Sequence, residues 1–244
     1  MRKLSLLVLP LLMLCGTLGV VAQDAEKKPD TDAAKKADEK KSADEGKEDG
    51  KDEAKPEAEE PAEEEAEPDK ATLEKRAPDF TLKNADGKEV KLSAYKGKII
   101  VLEWVNLDCP WCKAHYEDSD ELVKLQKELR GDDVVWLTIC SSGEGKQGNF
   151  DADTLKKRMD KVGLKAEFYL HDADGTVGKK YEARTTPHCF VIDKDFKLRY
   201  RGALDNVRER RKDKGLDEVN YVEQSVKALK DGKKLDNTDT KPYG

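Results

Sequence analysis

The sequence predicts an α/β fold, a central mixed sheet flanked by helices and extended by an N-terminal β-hairpin, over residues 73–244. Three observations predict it. Short apolar runs at residues 98–105 and 133–140 are near-continuous, as strands buried on both faces are, and they alternate with amphipathic helical patterns. The last two apolar runs, residues 189–193 and 198–202, are separated by a turn at Lys194-Asp195 and so end the sheet in a hairpin. Residues 217–230 then place Val219, Val222, Val226 and Leu229 on one face of a closing helix.

The chain begins with a targeting pattern, read as a signal peptide over residues 1–22. Arg2 and Lys3 form a positive start, residues 4–14 an apolar stretch, and Val20-Val21-Ala22 a small-residue cleavage site. Cys15 follows the bulky Leu14, which does not suit a lipidated cysteine, and is read as incidental. The expectation is export to a periplasmic or extracellular space, with membrane tethering if the segment is not cleaved. Residues 23–72 form a linker. Its positions 23–70 hold 20 Asp or Glu and 10 Lys, and alanine and proline are their only apolar side chains, so the stretch cannot bury a core. The remaining 174 residues carry 34 Lys and Arg against 32 Asp and Glu, without the charge excess that nucleic-acid binding needs.

Within the folded part, residues 77–82 and 88–92 read as the two strands of the hairpin, joined at Asn84-Ala85-Asp86-Gly87, and Ser93 is placed to cap a short turn through Tyr95. Gly97 releases the chain into the core strand at 98–105. A helix is expected from Cys109 to Leu129, bending near residues 118–120, with Leu122, Leu125 and Leu129 on one face and Gly131 past its end. Then come the strand at 133–140, a helix through Val162 capped by Asp153, a strand at 166–170 and a short helix at 175–181.

The chemistry centres on Cys109-Pro110-Trp111-Cys112, set between a strand and a helix. Pro110 suits the first helical turn, whose unpaired amides favour negative charge on a sulfur. That placement makes a thiolate near neutral pH. Two cysteines at this spacing can close a small disulfide, with Cys109 attacking a partner sulfur and Cys112 resolving the mixed disulfide. A structural pair or half a zinc site are the alternative readings, and the chain has no second Cys-x-x-Cys to complete such a site. Cys140 and Cys189 fall on the two strands flanking the core strand, too far apart to bond each other, and are read as buried thiols packing as small apolar groups.

The order of elements and three motifs together resemble the thioredoxin superfamily, in particular its redoxin branch of alkyl hydroperoxide reductase/thiol-specific antioxidant and exported thiol-disulfide interchange proteins. The motifs are Ala77-Pro78-Asp79-Phe80-Thr81-Leu82 with residues 92–98, Cys109-Pro110-Trp111-Cys112, and Thr185-Thr186-Pro187-His188 leading into the strand at 189–193. The resemblance implies that Pro187 is a cis-proline beside the cysteines, and that Thr186 offers its backbone to a bound substrate. It also implies that Trp111 covers the disulfide and shapes the docking surface. Glu103, six residues before Cys109, matches the buried acid of thioredoxins; buried there, its raised pKa would let it take the proton from Cys112. A solvated strand residue is the alternative reading of Glu103. The implied partners are protein disulfides or dithiols and an external redox partner, with no nucleic acid, no cofactor and no metal.

The departures from that pattern carry expectations of their own. Peroxidatic sites place a Thr or Ser three residues before the cysteine and a Pro seven before, where this chain has Asn106 and Leu102. This argues against efficient peroxidase chemistry, which stays as the alternative activity; a metal-binding or scaffold protein is the second alternative. Asp108, directly before Cys109, is expected to oppose its ionisation. Lys241-Pro242-Tyr243-Gly244 resembles a motif that in some redoxins precedes a further cysteine. Gly143-x-Gly145-x-x-Gly148 matches a dinucleotide fingerprint, but Asn149-Phe150-Asp151 intervenes before the next helix and the stretch is read as a loop near the active face. Cys109, Cys112, His115 and His188 could surround a metal, though partner-facing histidines are the preferred reading. Asp172-Ala173-Asp174-Gly175 reads as a turn with a helix cap.

Overall fold

The computed structural model describes residues 68–244; the predicted signal peptide and nearly all of the linker lie outside the described residues. Seven strands form one sheet in the order β2-β1-β5-β4-β3-β6-β7. At its centre, β3 (Ile99–Trp104) runs parallel to β4 (Val134–Cys140), which runs parallel to β5 (Phe168–His171). On its other side β3 pairs antiparallel with β6 (His188–Ile192), and β6 with β7 (Leu198–Gly202). The N-terminal hairpin, β1 (Thr81–Asn84) and β2 (Glu89–Lys91), joins the far edge through β1 and β5, so it extends the main sheet. Among the described residues no helix is long and apolar enough to cross a membrane.

The near-continuous apolar character of β3 has the predicted cause. Ile99, Val101 and Val105 pack on one face with α2 (Glu121–Leu129), α3 (Ala152–Val162) and α6 (Tyr221–Lys230); Ile100, Leu102 and Trp104 pack on the other with α4 (Thr176–Tyr181). Every residue of β3 is buried, Glu103 included.

Several element edges differ from the sequence reading, each for a local reason. The first strand starts later than expected because Asp79 turns its carboxylate to the amides of Phe80 and Ser93; Ser93 thus donates its backbone N–H and caps nothing with its hydroxyl. Asp151, not Asp153, caps α3, accepting from the amide of Thr154. The long helix after Cys109 is broken as well as bent. It consists of α1 (Pro110–Lys113), a π-helical turn Ala114–Asp118, and α2 beyond Asp120, which takes a left-handed conformation at φ 52°. The closing helix begins at Tyr221 because buried Asn206 holds the preceding loop, donating to Asp217 O and accepting from Val219 N–H. A short helix, α5 (Val207–Lys212), precedes it, with no buried residue and hence no apolar stripe to announce it. Packing against the domain includes residues before 73: Ala71 is buried and its amide donates to Lys180 O at 2.8 Å.

Candidate active site

The chain leaves β3 at Asn106, whose side chain accepts from the amide of Asp108 at 2.9 Å and folds the turn that delivers Cys109 to the N-cap of α1, with Pro110 following in the first turn. The glycine loop braces this turn. Asn106 Nδ2 donates to Gln147 O, Gln147 Nε2 donates to Asp108 O, and Gly148, at φ +87°, packs so closely on the Asn106 amide that a Cβ would collide with it. The fingerprint-like glycines therefore serve the cysteine turn.

All four cysteines among the described residues are free thiols. Cys109 is half-buried and its Sγ lies 3.1 Å from Thr186 O. Its pKa is lowered to about 5, chiefly by the hydrogen bond from the Cys112 thiol; burial opposes this, while Thr186 and the first-turn amides of Cys112 and Trp111 assist. Cys112 moves the other way, well above its ordinary value, because it donates to Cys109 and is buried. The expected opposition from Asp108 is corrected by its partners: Arg158 at 2.8 Å and Lys113 at 3.8 Å offset its charge.

Thr186-Pro187 is a cis peptide bond, and Thr186 lies against Cys109. Beneath the pair, Glu103 is fully buried, and among the described residues no cation pairs with it. Its carboxyl accepts from Tyr116 Oη at 3.0 and 2.9 Å, from Trp136 Nε1 at 2.9 Å and from Gln126 Nε2 at 3.2 Å. Burial raises its pKa to about 7, against the lowering effect of Trp136, Tyr116 and Gln126. The solvated-strand alternative for Glu103 is thereby excluded.

Trp111 is clamped. The Arg211 guanidinium of α5 lies 4.3 Å from its ring centre on one side, and the Tyr243 ring packs at 4.9 Å. Tyr243 is buried; its hydroxyl donates to Asp205 and contacts His115 Nε2 at 3.0 Å. The tail reaches this point by pairing along β7, with Arg201 N–H donating to Thr238 O and Thr240 N–H to Arg201 O. Gly244 then lies against the Thr186 backbone, where a Cβ would come 2.5 Å from its carbonyl oxygen. The motif at 241–244 reaches the site through the Tyr243 ring.

The fold thus brings Cys109, Cys112, Trp111, Thr186 and Pro187 together over Glu103. His115 is engaged with Tyr243, and His188 is buried with its Nδ1 accepting from the Arg184 amide. Among the described residues no group of three or more His, Cys, Asp or Glu could hold a metal ion. Cys140 and Cys189 end up on opposite neighbours of β3, as expected, both buried. Tyr116, Gln126 and Trp136, the donors around Glu103, escaped sequence reading because they come from three separate elements and look like ordinary core or helix-surface residues.

Fold and site define a redoxin of the thioredoxin superfamily, an oxidoreductase built on thiols. The AhpC/TSA family model matches residues 73–201, and the chain belongs to that family. It is 31% identical over 164 residues to peroxiredoxin Bcp of Bacillus subtilis, spanning 64% of this chain and 94% of that one. Over 134 residues it is 28% identical to thiol-disulfide oxidoreductase ResA of Bacillus thuringiensis subsp. konkukian, covering 53% and 69%. A probable phospholipid hydroperoxide glutathione peroxidase of Solanum lycopersicum matches at 33% over 94 residues, 38% of this chain; there the chain spans about half of the relative's length, 53%. The crystal structure of an uncharacterized conserved protein from Geobacillus kaustophilus shares the fold at a TM-score of 0.59 and 27% identity, covering 71% of this chain and 94% of that one.

Proposed function

We propose that this redoxin is an exported thiol-disulfide oxidoreductase that exchanges disulfides with protein partners through Cys109 and Cys112. The observation that carries the reading is the split between the two thiols: Cys109 lowered to about 5 and accessible, Cys112 raised and buried beside it. The Cys109 thiolate attacks one sulfur of a partner disulfide, forming a mixed disulfide and expelling the other sulfur as a thiolate. Cys112 then loses its proton and attacks Cys109 Sγ. The second partner sulfur leaves as a thiolate, and two electrons have passed to the partner. Glu103, poised near 7 among neutral donors, accepts the Cys112 proton; Thr186 and Pro187 border the face the partner meets, beside Gly244, and Trp111 forms the docking rim. An external dithiol restores the reduced pair, and export rests on the signal-like residues 1–22.

The test is a redox titration of the mature protein against glutathione and dithiothreitol buffers, with mass spectrometry of the cysteine peptides. A Cys109–Cys112 disulfide is expected at every oxidised point. A potential near the thioredoxin value of about −270 mV assigns a reductase, one near about −120 mV an oxidant; failure of these two cysteines to pair sinks the reading. The names of the Bcp and tomato relatives favour peroxide reduction as the second reading. Against it, position 106 holds an asparagine, which has no hydroxyl for a peroxide, and its amide is engaged with Asp108 and Gln147. Fast peroxide consumption that depends on Cys109 would reverse the order of the two.

A further inference from the structure

Two different walls meet at Thr186. On one, the tail packs Gly244 on the Thr186 backbone and Tyr243 on Trp111. On the other, a cavity of about 480 Å³ opens between α4 and the ends of β3 and β4. Asn106 and Thr186 line this cavity, and both also hold Cys109: Asn106 O accepts the Cys109 amide at 2.9 Å, and Thr186 O lies 3.1 Å from Sγ. A sulfur arriving at Cys109 therefore stands beside two residues that border the cavity, while on the opposite wall Gly244 covers the Thr186 backbone.

The charges around the cavity are unbalanced in one direction. Lys179 and Arg184 stand exposed in its lining, and among the described residues neither has an ion pair within 4.0 Å. The lining carboxylate, Glu182, is already shared between Lys70 and Arg201, each at 3.7 Å. Asp172 lies buried below, accepting from Val177 N–H, Gly178 N–H and the Ser141 hydroxyl, and Ser141 in turn accepts from the Trp104 indole. The lining acids are engaged by other groups, whereas Arg184 has no ion pair and Lys179 meets only the charge of Asp174, beyond ion-pair distance.

Building on the proposed exchange reaction, we propose that this cavity is the subsite for the group flanking the target disulfide, and that it takes a carboxylate. The carboxylate belongs either to a low-molecular-weight disulfide or to an Asp or Glu beside the cysteine of a protein disulfide. Lys179 and Arg184 bind it from the rim, and Ser142 offers a neutral hydroxyl within the lining.

The test uses the reduced mature protein and single-turnover exchange with three small disulfides of similar size: dithiodipropionate, bis(2-hydroxyethyl) disulfide and cystamine. Each rate is divided by that of free dithiothreitol with the same probe. The anionic probe is expected to exceed the cationic one by about 10-fold, the value of two partly exposed ion pairs, and the preference to shrink with added salt. Lys179→Ala with Arg184→Ala should bring the ratio close to one, and Arg184→Glu should invert it. Blocked peptides dimerised through a cysteine beside Glu or Lys identify the source. A preference for the Glu peptide assigns a protein side chain; one confined to dithiodipropionate assigns a small disulfide. Equal normalised rates for all probes in the wild type overturn the subsite and leave the exchange reaction standing. Absence of exchange with the neutral probe overturns the exchange reaction itself.

Discussion

Two pairs of cysteines lie near the same end of the sheet, and their surroundings make them different reagents. Cys109 and Cys112 sit on a helix start, where unpaired amides face one sulfur and the other donates to it. Cys140 ends β4 with its thiol near Gly148 O at 3.5 Å, and Cys189 opposes Glu103 across the ladder, fully buried. Burial pushes the Cys189 thiol well up, with the Glu103 charge adding to it. Proximity to the site is thus not what activates a thiol. A donor set that opens at the surface is.

The sharpest break of that comparison is at Cys109. Cys109→Ser is expected to lower exchange by at least about a thousandfold, since the attacking thiolate is lost, while Cys112→Ser should accumulate covalent partner complexes visible on non-reducing gels. Alkylation by iodoacetamide in the native reduced protein should label Cys109 alone, with a rate rising through pH 5 as its thiolate forms. Equal labelling of Cys140 or Cys189 would dissolve the distinction between the pairs.

Glu103 tests what the buried floor contributes to both pairs. Glu103→Gln should slow the resolving step about 100-fold near neutral pH, the ordinary effect of removing a proton acceptor, and the deficit should fade at high pH where Cys112 ionises unaided. Its stability signature has a defined sign. The carboxyl titrates near 4.5 when unfolded and about 7 in the fold, so its contribution is fully present below 4.5 and is lost as pH rises to 7 and above. Denaturant titrations should show about 3 kcal/mol of stability falling away over that window in the wild type, and a flatter profile in the variant.

The cysteine motif could be read from sequence because it is a local residue choice with a strong physical reason; the cis-proline and the buried acid came from the family resemblance, with Glu103 open between a buried and a solvated reading. The seven strands were recoverable because apolar runs and turns mark them. What escaped was the part assembled from a distance. Nothing in Asn206, Asp205 or Tyr243 announces that a tail will run along β7 and set a ring on Trp111, and the six charged or branched residues of α5 have no periodic stripe. Asp108 shows the same limit in charge. Alone in sequence it opposes the thiolate, and only the fold brings Arg158 to within 2.8 Å of it.

That tail sharpens the comparison next, because its ring packs on Trp111, between the two helix cysteines. Tyr243 is 2% exposed and is wedged among Trp111, His115 and Asp205, so Tyr243→Ala should cost about 3 kcal/mol. Cys109 alkylation should quicken as the cover over Thr186 loosens, with Cys140 and Cys189 still unlabelled. Tyr243→Phe keeps the ring and removes only the hydroxyl, so unchanged labelling in that variant separates packing from the hydrogen bonds.

The smallest effects belong to the strand cysteines themselves. Cys140→Ala and Cys189→Ala each remove one buried sulfur from a packed core, which should cost about 1 kcal/mol in denaturant titrations and leave exchange rates within about twofold of wild type. Of the two, Cys189 is the more demanding test. It pairs with Glu103 across β3 and β6, only two residues beyond Pro187, so a hidden redox role would surface there first. If Cys189→Ala instead shifts the potential of the Cys109–Cys112 couple, then Glu103 transmits between the pairs and they form one coupled system.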